Sequence, residues 1–213
     1  MAVDIPDVVV RRLPTYLRAL RQLADDNVDF VSSHQLGERL HVTPAQIRKD
    51  LSYFGRFGKQ GRGYNVQLLI TDLDQILGLD REWETILVGV GRLGRAIIGY
   101  PGFSPEGFNL SAAFDSDSEV VGQEISGTLV RHTSDIPLFT QNNRVDIAIL
   151  AVPARAAQLV ADDLIRNGVH SFLSYAPIPL EVPRGVYVRS LDPILAMEEM
   201  TFYLRDSERG GWK

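Results

Sequence analysis

The sequence contains no cysteine. Disulfides, thiolate zinc sites and cysteine nucleophiles are thereby excluded, and any redox sensing must pass through a bound molecule, not a thiol. Lysine is almost as scarce, occurring only at Lys49, Lys59 and Lys213. The stretch from Thr85 to Arg205 has none, which excludes a Tyr–Lys catalytic pair there. No apolar run approaches the roughly 18 residues needed to span a bilayer. The N-terminus, MAVDIPDVVVRRLP, has an acidic start and no signal-peptide apolar core. The expectation is a cytoplasmic chain with no membrane partner. Hydrophobic residues make up 45% and charged residues 23% of 213 positions, which fits two modest folded domains and argues against wholesale disorder.

The net charge of −5 argues against nucleic-acid binding until its distribution is considered. Between Arg39 and Tyr64 six basic residues (Arg39, Arg48, Lys49, Arg56, Lys59, Arg62) face one acid, Asp50, so this segment carries about +5 and the remainder about −10. A basic island in an acidic chain is the footprint of a DNA-contacting surface. On charge alone, a solvated basic loop fits as well.

The N-terminal third reads as helices. Leu13, Tyr16, Leu17, Leu20 and Leu23 recur at helical spacing and predict an amphipathic helix over 13–25, with Pro14 in its first turn. Ser32 and Gln35 form a capping box that opens a short helix carrying Leu36 and Leu40. Thr43-Pro44-Ala45-Gln46 supplies a third start, with Thr43 as cap, Pro44 at the first helical position and Gln46 reaching back. Ile47, Leu51 and Phe54 share one face of that helix, while Ala45, Arg48, Lys49 and Ser52 lie opposite. Two short helices with a basic outer face on the second make a helix-turn-helix pattern, although such patterns also arise by chance in all-α proteins. The glycine-rich basic stretch from Gly55 to Val66 then reads as a wing, in which Arg62, between Gly61 and Gly63, is free to enter a minor groove. A nucleotide phosphate loop is a weaker reading, because no helix start follows Gly63. Thr71 and Asp74 open one more helix to about Leu77, and Gly78–Glu82 reads as the linker.

Thr85–Val88 is a short β-prone run that leads into Gly89-Val90-Gly91-Arg92-Leu93-Gly94 and a helical continuation. Strand, glycine turn and helix in that order make the G-x-G-x-x-G dinucleotide fingerprint, with phosphates at the helix N-terminus. A second strand, Leu110–Phe114, ends in Asp115, 21 residues beyond Gly94. An acid there accepts hydrogen bonds from ribose hydroxyls, and with Asp117 beside it and no arginine, NAD(H) is favoured over NADP(H). Val145–Val152, a helix from Ala154 to Asn167 with Gly168 after it, and Val169–Leu173 continue the βα alternation and predict a Rossmann-like, doubly wound parallel sheet. Strand ends at Val152-Pro153 and at Ala176-Pro177 line the expected crevice. A last helix, from about Pro193 to Arg205, is apolar on more than one side; it packs either on a partner subunit or on the chain's own sheet. The expected domains are 1–78, 79–190 and a C-terminal helix and tail, 191–213.

A dehydrogenase needs an acid–base group near the nicotinamide. His170 reads as a core histidine within a strand, and His132 as a loop residue with no orienting partner. A cofactor site without catalytic machinery points to sensing, not to an enzyme. The alternatives are a small NAD-dependent oxidoreductase with a helical dimerisation segment, and a repressor that senses another nucleotide.

With these residues in hand, the chain resembles the Rex family of redox-sensing transcriptional repressors. The resemblance runs over nearly the whole length. It rests on Leu13-Pro14-Thr15-Tyr16-Leu17-Arg18, on the string from Gln46 to Gly55, on Gly61-Arg62-Gly63-Tyr64, on Gly89–Gly94 followed by Tyr100-Pro101-Gly102-Phe103, and on Phe114-Asp115. It implies a winged-helix homodimer on palindromic operator DNA, with an exchanged C-terminal helix, in which NAD+ permits DNA binding and NADH releases it. It also implies that Tyr100 and Phe202 lie by the nicotinamide and that Arg18 lies at an interdomain interface. One departure is Glu119-Val120-Val121, where the family usually carries a lysine shortly after Asp-x-Asp. The expected DNA-contacting set is Ser33, Arg48, Lys49, Ser52, Tyr53, Lys59, Gly61, Arg62 and Tyr64. The expected cofactor set is Gly89 through Gly94, Tyr100, Asp115, Val152, Pro153, Ala176, Pro177 and Phe202, with no metal. A pocket walled by Tyr100, Phe202, Val152 and Ala176 would disfavour the cationic oxidised ring and so favour NADH.

Overall fold

The computed structural model describes residues 5–59 and 62–208, with the backbone alone for Lys59 and 206–208. The chain forms two compact units that divide between Arg81 and Glu82.

The first unit opens with α1 (Asp7–Asp25). It starts six residues before the predicted position, because Val9 extends the buried stripe of Leu13, Tyr16, Leu17, Leu20 and Leu23 by one turn. Pro14 therefore lies inside the helix, on its exposed side, where the carbonyl it leaves unpaired can be solvated. After β1 (Phe30–Val31), α2 (Ser33–Leu40) begins with the expected capping box: the Gln35 N–H donates to Ser32 Oγ, and the Ser32 N–H donates to Gln35 Oε1. In α3 (Pro44–Ser52), Thr43 Oγ1 caps the Gln46 N–H at 3.2 Å. The Gln46 side chain does not reach back; it donates forward to Asp50 Oδ1 at 2.6 Å, because a buried carboxylate is the stronger acceptor.

The wing follows as β2 (Gly58–Lys59) and β3 (Gly63–Asn65), and β3 lies between β1 and β2 in an antiparallel sheet. Gly63 has φ +77°, and a Cβ there would meet the Val31 carbonyl, so glycine is required for both reasons. The fourth helix, α4 (Val66–Leu77), starts five residues before Thr71. Asn65 is its cap, and Thr71 instead donates its hydroxyl to the Gln67 carbonyl one turn back. Apolar side chains from α1, α2, α3, β3 and α4 close a single core.

The second unit contains β4 (Trp83–Val88), α5 (Arg92–Ile98), β5 (Phe108–Asp115), β6 (Glu124–Ile125), β7 (Thr128–His132), α6 (Ile136–Asn142), β8 (Ile147–Leu150), α7 (Ala154–Arg166), β9 (Ser171–Ser174), β10 (Tyr187–Ser190) and α8 (Pro193–Glu208). The sheet order is β10-β9-β8-β4-β5-β7-β6, parallel throughout except for the β6–β7 pair. The chain leaves β4 toward β5 on one side and leaves β8 toward β9 on the other. This reversal between neighbouring strands opens a crevice at their C-terminal ends, where open parallel sheets bind ligands.

One expectation fails here, and one of two open alternatives is not supported. His170 is not a core residue: it precedes β9 and is exposed, while Val169 beside it fills the core. Nor is α8 a helix laid on its own sheet. Ile194, Leu195, Met197, Met200, Phe202, Tyr203 and Leu204 are each more than half exposed. Among the described residues no helix is long and apolar enough to cross a membrane.

Candidate functional site

In the first unit, a groove of about 840 Å³ runs between the start of α2, the outer side of α3 and the wing. Arg48 crosses it, donating from Nη1 to Ser33 Oγ at 2.8 Å. Lys49 is exposed, Ser52 donates its hydroxyl to the Lys49 carbonyl, and Tyr53 is half-buried at the end of α3. Arg62 is not free, as its flanking glycines suggested. Its guanidinium lies 4.6 Å from the centre of the Phe30 ring, which holds a cation over its negative face. Tyr64 belongs to the core and is 8% exposed, with burial raising its phenol pKa. Gly61 and the Lys59 side chain fall outside the described residues. Arg18 is exposed on α1.

Asp50, the one acid of the basic segment, is removed from this surface. Its side chain is fully buried and receives both arms of Arg12 (Nε at 2.6 Å, Nη2 at 2.8 Å), the Tyr16 hydroxyl at 2.7 Å and Gln46 Nε2. Burial alone would raise its pKa, but the hydrogen bonds from Arg12, Tyr16 and Gln46 outweigh it and hold the carboxyl below the usual range. Burial, and then the bond to Asp50, raise the Tyr16 phenol, while the same carboxylate raises Arg12. The segment from Arg39 to Tyr64 thus exposes cations and no carboxylate among its described residues.

In the second unit, a cleft of about 760 Å³ lies over the ends of β4, β5 and β8. Its floor is the turn from Gly89 to Gly94, where the three glycines have different causes. Gly89 has φ +97°, and a Cβ there would meet the Ala151 carbonyl. At Gly94 a Cβ would overlap the Gly89 carbonyl oxygen, so glycine lets α5 press against its own turn. A Cβ on Gly91 would meet nothing within 4 Å, because it would project into open space. No side chain caps α5, whose N-cap is Gly91. Asp115 holds the turn: its Oδ2 accepts the Val90 N–H at 2.6 Å, and its Oδ1 accepts the Asp117 N–H at 2.9 Å. Each oxygen keeps a further lone pair for a ligand hydroxyl.

Gly89, Gly91, Arg92, Leu93, Asp115, Val152 and Pro153 line this cleft together. Val90, which is buried, Gly94, Tyr100, Ala176, Pro177 and Phe202 do not. Tyr100 stands edge-on to Phe103 at 5.3 Å, Ala176 is buried, Pro177 is exposed, and Phe202 stands edge-on to Tyr203 at 5.4 Å. The cleft also includes residues the sequence did not single out for binding: Ser116, His132, Thr133, Ser134, Leu159 and Asp163. His132 ends β7 directly beside Asp115 of β5, and its Nδ1 lies 2.7 Å from Ser134 Oγ. It is therefore neither a loop residue nor without a partner; the β5–β7 pairing that places it joins residues too distant in sequence to be read locally. Among the described residues no cluster of His, Cys, Asp or Glu could hold a metal.

A winged helix-turn-helix with an unopposed basic face, and a separate Rossmann unit with a dinucleotide-type turn, together define a ligand-responsive transcription regulator. The family model described as putative DNA-binding protein N-terminus matches residues 4–52, and that described as CoA binding domain matches residues 80–178. The redox-sensing transcriptional repressor Rex of Chloroflexus aggregans is 50% identical over 199 residues, 93% of this chain and 94% of that protein. Rex of Thermus thermophilus is 44% identical, covering 93% of each chain. The crystal structure of RSP in complex with beta-NAD+ and operator DNA matches with a TM-score of 0.91 at 39% identity, over 96% of this chain and 94% of that one. RSP in complex with beta-NADH matches with a TM-score of 0.88 at 36% identity, over 96% of each chain. The chain belongs to the Rex family of redox-sensing transcriptional repressors. These relatives are repressors, so the oxidoreductase alternative is not favoured.

Proposed function

We propose that this protein is a cytoplasmic redox-sensing repressor that holds operator DNA as a homodimer and releases it when NADH binds. The observation that carries the reading is the pairing, in one chain, of a basic helix-turn-helix face with the Gly89–Asp115 turn. The relatives bound to NAD+ with operator and to NADH support it.

Arg48, Lys49 and Ser52 would read or clamp the major groove, with Ser33 and Tyr53 at its edge. Lys59, Gly61 and Arg62 of the wing would serve the adjacent minor groove, braced from beneath by Tyr64. The cleft suits a dinucleotide: the open space at Gly91 admits a pyrophosphate against the backbone N–H groups of the turn, and Asp115 has lone pairs for ribose hydroxyls. Asp115 and Asp163 in the lining disfavour a 2′-phosphate, so NAD(H) is preferred to NADP(H). When bound, the dinucleotide presents a nicotinamide ring that is cationic if oxidised and neutral if reduced. Val152, Pro153, Ala176, Pro177, Tyr100 and Phe202 would form apolar walls that penalise the cation.

Tyr100 and Phe202, both exposed in the single chain, would complete those walls only in the dimer. The exposed apolar side chains of α8 favour a partner that covers them, which fits a helix exchanged between subunits, with Arg18 at the switch interface. For a useful switch the two subunit arrangements must differ in dinucleotide affinity by about 1–3 kcal/mol, and operator must weaken NADH binding by the same factor. NADH titrations with and without operator test this. A decrease in affinity on adding operator is expected; equal affinities would remove the switch.

A further inference from the structure

Asp50 is the only buried charged side chain among the described residues, and neither DNA contact nor cofactor binding uses it. Its burial is weak evidence for a purely stabilising role, because replacing a whole buried ion pair by apolar side chains of similar volume is often neutral. What the carboxylate supplies is direction. Ile47 and Leu51 attach α3 to the core through contacts that tolerate small rotations. The bonds from Arg12 and Tyr16 of α1 do not: their lengths are 2.6–2.8 Å, and Arg12 approaches as a two-armed fork. Gln46, one turn earlier on α3, fixes the side chain from its own helix. Arg48 and Ser52 lie two residues to either side of Asp50, hence about 160° around the helix from it. Holding Asp50 inward therefore aims both of them outward.

We infer that Asp50 is a positioning residue for sequence readout: anchored to Arg12 and Tyr16, it locks the rotation of α3 on α1 so that Arg48 and Ser52 meet base edges in one register. The inference rests on the operator-binding reading above. It separates two properties that a merely structural residue would lose together. Attraction to phosphates needs only positive charge nearby, whereas discrimination between sequences needs a fixed helix angle.

The test uses the full chain, its Asp50→Asn and Arg12→Lys variants, a duplex enriched by the wild type from a random-sequence pool, and an unrelated duplex of equal length. For both variants, affinity for the enriched duplex should fall about tenfold, the cost of roughly one misread base pair, with affinity for the unrelated duplex changing by less than about threefold. NADH affinity and the salt slope on the unrelated duplex should stay at wild-type values. Should Asp50→Asn not fold, Tyr16→Phe keeps the ring in the core and removes one donor, and should narrow the preference by about threefold. Equal losses on both duplexes that track the folded fraction in a thermal melt would overturn the inference, as would variants with the wild-type preference. A wild-type chain that enriches no sequence would remove the functional reading itself.

Discussion

The glycine turn of the second unit offers a sharp test, because two of its glycines make opposite demands. Alanine at Gly94 would drive its Cβ into the Gly89 carbonyl oxygen, with Leu87 Cδ2 a further 3.4 Å contact. A backbone oxygen in a tight turn cannot swing aside, so α5 must lift from β4. Overpacking of this kind costs about 1–3 kcal/mol, and a domain of this size loses roughly 4 °C in Tm per kcal/mol. Alanine at Gly91 meets no atom within 4 Å, and the backbone there, φ −69° and ψ −161°, is open to any L-residue. Gly91→Ala should therefore fold as well as the wild type, or gain about 0.4–1 kcal/mol from a less flexible unfolded chain. Its methyl group, however, occupies the space through which a pyrophosphate would approach the turn. NADH affinity should fall at least about tenfold, or 1.4 kcal/mol. Thermal melts and NADH titrations on both variants separate the effects: Gly94→Ala lowers Tm and, through it, binding; Gly91→Ala lowers binding alone. If Gly91→Ala bound NADH like the wild type, the pyrophosphate could not lie against this turn, and the cleft assignment would be wrong.

Arg48→Ala should cost about 1–3 kcal/mol on the enriched operator and relax the preference at one base position, as read by competition gel shifts. Phe30→Leu removes the ring under Arg62, and the freed side chain must then be ordered on binding; operator affinity should fall about two- to fivefold, for a contact of about 0.5–1 kcal/mol. Because its donors hold the Asp50 carboxyl below its ordinary value of 3.8, its contribution to stability is complete above that pH and is lost as pH falls through the folded value. Stepped-pH melts by circular dichroism should therefore show an acid-side decline below about pH 4 that is shallower in Asp50→Asn. Met200→Glu in the exposed apolar set of α8 should shift the protein from dimer toward monomer in sedimentation velocity, with little change in the melt of the first unit.

Legibility in the sequence followed the range of the interactions. Caps are local, so Ser32–Gln35, Thr43–Pro44 and the strand–glycine–helix turn could be read directly. Where a cap-like pair competed with a better one, the reading failed: Thr71–Asp74 resembled a start, but Asn65 already supplied it six residues earlier, with Leu69 in the core between them. The short strands β6, β7 and β10 went unread because two to five residues give no usable period. With β7 unread, so were His132 and Ser134 of the cleft. Gln46 was given a local partner because its true one, Asp50, is chosen by a burial that depends on Arg12, 38 residues upstream of Asp50.

The charge map explains why the acidic bulk of the chain does not work against its basic segment. A duplex approaching this protein meets about −10 spread over the remainder and about +5 concentrated between Arg39 and Tyr64. Repulsion from the remainder favours docking modes that present that segment, so the acid content helps orientation. The burial of Asp50 also serves affinity. Exposed, its carboxylate would lie within a Debye length of the phosphates that Arg48 and Lys49 approach and would repel them. Buried against Arg12, it is neutralised by a cation from α1 and turned away from the duplex. Affinity and aim therefore draw on one side chain in different ways: its negative charge is hidden from the DNA, and its hydrogen bonds set the angle at which the neighbouring residues are presented.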